Sequence, residues 1–131
     1  MRSRWRRAVL GALLALSIGL AACGEGSSPI DQSRRIVNDD DRFGTSIEAG
    51  DSLAHVSSIL LRAGKDCAEG CDALLSASAY AQVLAVRVLD CTAPGRFQVR
   101  QVMRRYLDAI EHARNRSSKT VPTPPAPPRC G

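Results

Sequence analysis

Histidine is scarce in this chain of 131 residues, and the two histidines that occur stand alone. Cys67 and Cys71 have a spacing close to that of metal ligands, but Cys91 and Cys130 do not form a second such pair. A structural zinc site needs four ligands, usually in two closely spaced pairs. We therefore expect no metal site and no cofactor.

The sequence also lacks the alternating apolar pattern of a half-buried strand, and it contains no internal repeat. Near the N-terminus it lacks a hydrophobic run long enough to cross a membrane. The apolar run of residues 8–22 has about 15 residues, whereas a membrane-spanning helix needs about 20. We therefore expect no transmembrane anchor at the N-terminus, and we expect an all-α fold.

The positive charge of the chain is concentrated at its N-terminus. The sequence has 18 lysines and arginines against 13 acidic residues, and four of the arginines lie within residues 1–22. Without those four, the basic and acidic residues nearly balance. The basic composition therefore gives no support for nucleic acid as a partner.

Four arginines introduce the N-terminal apolar run, which ends in Leu20, Ala21, Ala22 and Cys23. This layout is typical of a secretory signal. Its last four residues resemble the lipobox of bacterial lipoproteins, a leucine, two small residues and a cysteine, at all four positions. The resemblance implies a signal peptide over residues 1–22 and a diacylglycerol on the thiol of Cys23. The lipid would attach the mature protein to the outer face of the bacterial cell membrane.

The remaining chain divides into three segments. Residues 23–50 contain isolated apolar residues among Gly, Ser, Asp and Arg, so we predict a flexible spacer. Residues 51–116 are predicted to form a small three-helix bundle. Residues 117–131 hold five of the seven prolines and are predicted to be an extended polyproline II tail. The predicted helices cover about residues 51–63, 72–90 and 94–114.

The three predicted helices differ in how clearly the pattern defines them. The third has apolar residues at i, i+3, i+4 and i+7 from Val99 to Ala113 and is the cleanest. The second is apolar nearly all round, which is typical of a buried helix. The start of the first is ambiguous, because Thr45 in a capping box, Asp51 and Ser52 are all suitable N-caps.

Four cysteines remain when Cys23 carries the lipid, an even set suited to two disulfides. The second predicted helix separates Cys71 from Cys91 by about 30 Å, whereas disulfide-bonded Cα atoms lie within about 7 Å. Cys67 precedes Cys71 too closely to bridge that gap. The pairing that remains is Cys67–Cys71 with Cys91–Cys130, and the second pair requires the proline-rich tail to return along the bundle.

Several arginines of the third predicted helix form a candidate basic surface. Outside the cell, its counterpart would be an anionic lipid surface or an acidic envelope protein. The residues concerned are Arg96, Arg100, Arg104 and Arg105.

The four residues from Gly50 to Leu53 spell Gly-Asp-Ser-Leu, which resembles the signature of the GDSL esterases. That resemblance implies Ser52 as a nucleophile on a turn after a strand. The chain departs from the family because it has no preceding strand, no Asp-x-x-His motif and too few residues for the α/β fold. Without a positioned base a serine is a poor nucleophile, so we interpret Ser52 as a helix cap and expect no catalytic residue.

We therefore predict a lipid-anchored envelope lipoprotein that acts as a non-enzymatic interaction module. It would bind the membrane through the lipid on Cys23 and a further envelope protein or anionic surface. The short mature domain is also similar to uncharacterised small lipoproteins of high-GC bacteria, a resemblance that implies no activity. The alternatives are a small-ligand binder that uses the bundle interior, where the second helix is rich in alanine, and a small esterase that uses Ser52.

Overall fold

The structure of the protein is a computed structural model that describes residues 28–130. The predicted signal peptide and Cys23 lie outside these residues. Within them the chain forms four helices and no strand, so the all-α fold class is confirmed, but the bundle has one helix more than predicted. Two 3-10 turns, Asp40–Phe43 and Val88–Asp90, follow the first and third helices. The helices are α1 (Pro29–Asn38), α2 (Ser46–Asp66), α3 (Cys71–Arg87) and α4 (Ala93–Asn115).

Helix α1 lies in the predicted spacer, so that prediction is wrong for residues 28–50. The Oγ atom of Ser28 accepts the N–H of Asp31 at 3.1 Å, and Pro29 occupies the first turn, where it sacrifices no hydrogen bond. The apolar residues of this helix are few, but they share one face, which packs against α2 and α4. Its buried side chains are Ile30, Ser33, Ile36 and Val37.

Helix α2 begins five residues earlier than predicted, because the capping-box alternative is the one that forms. The Oγ1 atom of Thr45 accepts the N–H of Glu48 at 3.1 Å and lies 3.0 Å from the Glu48 carboxylate. Ser52 lies inside the helix, so its interpretation as the N-cap is wrong.

Helices α2 and α3 pack closely and antiparallel through small residues. Ser57 donates to the carbonyl oxygen of Ser78 at 2.9 Å, and Ser78 donates to that of Ser57 at 2.7 Å. Seven residues before Ser57, a Cβ atom on Gly50 would lie 3.2 Å from a backbone oxygen of α3. Seven residues after it, a Cβ atom on Gly64 would lie 2.7 Å from a leucine side chain of α3. Glycine at these two positions therefore sets the short distance between the helices.

Helix α3 is the central apolar element. With its 3-10 turn, Cys71–Asp90 is the one segment of the described chain long and apolar enough to cross a membrane, by length and composition alone. Half of it is buried inside the bundle. Its Tyr80 ring meets the edge of Tyr106 on α4, with ring centroids 5.0 Å apart. Burial, with a contribution from Tyr106, raises the pKa of Tyr80 to about 12.

The segment after α4 returns along the bundle to the start of that helix. The hydroxyl of Tyr106 donates to the carbonyl oxygen of Pro122 at 2.7 Å, and Cys130 is bonded to Cys91. Residues 121–130 form no regular helix or strand. The four cysteines of residues 28–130 occur in the two pairs expected from the sequence, with Cα–Cα distances of 5.7 Å for Cys67–Cys71 and 4.6 Å for Cys91–Cys130.

Candidate functional site

The candidate basic surface on α4 is not a solvated surface, and this corrects the sequence-based prediction. Arg100 is only 8% exposed, and Arg96 and Arg104 are half-buried. Arg105 alone among the four is exposed. The reason is that α1 and its 3-10 turn cover the side of α4 that a three-helix bundle would leave open to water.

Arg96 binds the chain where it passes from the 3-10 turn into α2. Its guanidinium donates to the carbonyl oxygen of Phe43 at 3.3 Å and to that of Gly44 at 3.1 Å. A weaker contact joins it to the carbonyl oxygen of Cys91 at 3.4 Å. Arg96 therefore connects the end of the first 3-10 turn to the loop that precedes α4.

Arg100 connects α4 to the end of α1. Its Nε atom donates to the carbonyl oxygen of Val37 at 2.5 Å, and its terminal nitrogen lies 2.6 Å from the carboxylate of Asp40. The guanidinium carbon also lies 5.1 Å from the centre of the Phe43 ring. Because the last carbonyls of a helix have no partner within it, Arg100 caps α1 from a neighbouring helix.

Arg34 of α1 makes a second polar connection to α4. It binds Asp108 at 2.7 Å, forms an ion pair with Glu111, and lies 3.5 Å from Asp31. Partial burial lowers the pKa of Arg34, but its bonds to the two α4 carboxylates outweigh that effect and raise the pKa. This cluster was not predicted from the sequence, because residues 23–50, which include Arg34, were predicted to form a flexible spacer.

Ser52 is buried in α2, with 7% of its surface exposed. Its hydroxyl lies 2.8 Å from the carbonyl oxygen of Glu48 and 3.2 Å from that of Arg42. Both partners are backbone acceptors, so the hydroxyl fastens the first 3-10 turn to α2. Of the two histidines, His55 is exposed on α2, and His112 contacts Arg116 at 3.1 Å on α4.

Exposed apolar side chains gather where the start of α2 meets the end of α3. Ile47 is 71% exposed, Val86 61% and Leu89 52%. Gly50, one turn after Ile47, lies against Leu89, so the two helices bring these side chains to one end of the bundle. Three charged residues next to Gly50, Val86 and Leu89 in sequence are exposed as well, namely Asp51, Arg87 and Asp90. We call Ile47, Val86 and Leu89 the apolar patch.

A groove of about 830 Å³ lies at the opposite end of the bundle. It is bordered by Ser28, by the turn from α2 into α3, and by the end of α4 with residues 117–121. Gly70 has a φ of 69°, and a Cβ atom there would lie 3.0 Å from Nε of Arg114. Glycine is therefore required for both the backbone conformation and the close passage of Arg114. The charged side chains of the groove are Glu69, Asp72, Glu111, Arg114 and Lys119.

Within residues 28–130, no three His, Cys, Asp or Glu side chains are grouped so that they could hold a metal ion. Comparison of the chain with protein-family models, curated proteins and solved structures finds no match. The groove and the apolar patch are the two surface features of the described residues that could bind a ligand or a partner.

Proposed function

We propose that this protein is a lipid-anchored lipoprotein of the bacterial cell envelope that acts as a non-enzymatic interaction module. The lipobox residues from Leu20 to Cys23 support the anchor. The main support for a non-enzymatic interaction module is the difference between the bonding of the polar side chains and the exposure of the apolar ones. Ser52, Arg96 and Arg100 are bound to backbone oxygens of the fold, whereas the apolar patch stands exposed.

The apolar patch is the surface we assign to a protein partner. Large exposed apolar side chains at one place on a small domain are typical of interaction sites. The rim of the patch carries both signs of charge, because Asp51, Asp90 and Arg87 are all exposed. The partner that fits is therefore an envelope protein with an apolar centre and a polar rim of mixed charge.

The anchor is tested by Cys23→Ser. We expect this variant to accumulate as a precursor that retains residues 1–22, because serine cannot receive the thioether-linked lipid that precedes cleavage in lipoproteins. Mass spectrometry of the N-terminal peptide and fractionation of membranes measure both effects. Ser27→Ala is the matched control and should be acylated normally. A Cys23→Ser protein that stays membrane-bound at mature size would contradict the anchor.

The interaction surface is tested by photo-crosslinking in intact cells. A photoreactive residue at position 86 is expected to capture one envelope protein, and the same residue at Leu61, which is 41% exposed near the other end of α2, should not. Adding Ile47→Ser should lower the yield about tenfold, because truncating an interface anchor typically costs more than about 1 kcal/mol. Equal products from positions 86 and 61, or no effect of Ile47→Ser, would argue against this surface.

A further inference from the structure

The first helix of the described residues begins close in sequence to Cys23, the residue that carries the lipid in the proposed function, on which this inference rests. Only residues 24–27 separate Cys23 from Ser28, where α1 is capped. Fully extended, this connection spans about 17 Å. Ser28 borders the groove, so the groove must lie close to the lipid headgroups. The long spacer predicted from the sequence would have imposed no such restriction.

The groove contains both signs of charge and several hydroxyl groups. Arg114 and Lys119 supply cations, and Glu69 and Asp72 supply carboxylates. Glu111, the other carboxylate of the groove, is paired with Arg34. Hydroxyl groups of Ser117, Ser118 and Thr120 line the same space. A purely anionic headgroup would pair only with the two cations. A headgroup that carries a phosphate and an ammonium group would pair with the cations and with the carboxylates.

We propose that the groove receives the headgroup of a zwitterionic phospholipid of the anchoring membrane. Arg114 and Lys119 bind the phosphate, and Glu69 and Asp72 face the ammonium group. The bundle then stands with its groove end on the membrane. Because α2 has 21 residues and rises about 30 Å, the apolar patch is held away from the bilayer and toward other proteins.

Hydrogen exchange of the full lipoprotein tests this contact. The acylated protein is placed in nanodiscs of phosphatidylethanolamine and phosphatidylcholine and compared with the same protein in detergent micelles. We expect amides of residues 69–73 and 117–121 to exchange about fivefold more slowly in nanodiscs. Amides of residues 39–45, at the far end of the bundle, should be unchanged. Slower exchange along α1 and α4 instead would indicate side-on contact and overturn the proposal.

Two variants separate binding from mere proximity. Inserting about 20 Gly and Ser residues after Gly26 gives a flexible tether, and the protection should survive if the groove binds headgroups. Arg114→Gln with Lys119→Gln should abolish it, whereas the control pair Arg35→Gln with Arg105→Gln, two exposed cations outside the groove, should not.

Several results would overturn the headgroup site. They are loss of protection in the long-tether variant, protection that persists in the Arg114 and Lys119 variant, and equal protection in nanodiscs of phosphatidylglycerol alone. The acyl mass on the Cys23 peptide distinguishes the two levels of failure. An acylated protein without protection contradicts the groove only, and a protein without the acyl group contradicts the proposed function itself.

Discussion

Replacing Cys91 and Cys130 together by alanine is expected to lower the free energy of unfolding by about 4 kcal/mol. The disulfide closes a loop with a sequence separation of 39, and in the chain-entropy model a crosslink of that length stabilises by about this amount. A domain of this size has about 5–15 kcal/mol of stability in total. The midpoint of thermal unfolding should therefore fall by about 20 °C, measured by circular dichroism on the chain from residue 24 onward.

Replacing Cys67 and Cys71 by alanine is the matched control. Their loop has a sequence separation of only 4, and the same model assigns it about 2 kcal/mol. Non-reducing peptide mapping of the wild type should show the peptide with residue 91 linked to the C-terminal peptide. Equal losses from the two double variants, or a linkage of residue 91 to residue 67 or 71, would refute the larger stabilisation predicted for the Cys91–Cys130 disulfide.

Helix length and spacing explain why part of this fold could be predicted from sequence. The repeat from Val99 to Ala113 defined α4, because a helix with one buried face must repeat its apolar residues. The cysteine pairing followed from the length of α3 and the short spacing of Cys67 from Cys71, since a continuous helix keeps both residues far from Cys91. The apolar repeat of α4 depends only on residues close together in sequence. The cysteine pairing depends on a distance that is set by the length of a single helix.

Helix α1 could not be predicted in this way. Its apolar residues Ile30, Ile36 and Val37 are too few to form an obvious pattern. The helix is stabilised instead by its polar contacts with Arg100 and with the carboxylates of α4. An arginine such as Arg100 is typical of a solvent-exposed face, and nothing nearby in sequence shows that its backbone partner, Val37, lies 63 positions earlier. The groove could not be predicted from the sequence either, because Ser28, Gly70 and Arg114 come from three separate parts of the chain.

Arg100→Met is expected to lower the free energy of unfolding by about 2–3 kcal/mol and to loosen α1 first. Methionine keeps much of the side-chain volume but removes the charged donor to the buried carbonyl oxygen of Val37, a bond of the kind worth about 1.5–3 kcal/mol. The ion pair with Asp40 adds little, because the Asp40 side chain is 90% exposed. Asp40→Asn should therefore cost less than about 1 kcal/mol.

Chemical denaturation gives the global effect, and hydrogen exchange shows where the structure opens. In Arg100→Met, amides of α1 should exchange faster than those of α2 and α3, because α1 loses its cap and one of its two polar connections to α4. Arg100→Lys should recover only part of the loss, since an ammonium group cannot serve the Val37 oxygen and Asp40 with the planar geometry of a guanidinium. Arg105→Met, at an exposed position of the same helix, should change stability by less than about 0.5 kcal/mol. If Arg100→Met were no more destabilising than Arg105→Met, or if α1 exchanged no faster than α2, Arg100 would not be the residue that holds α1 on the bundle.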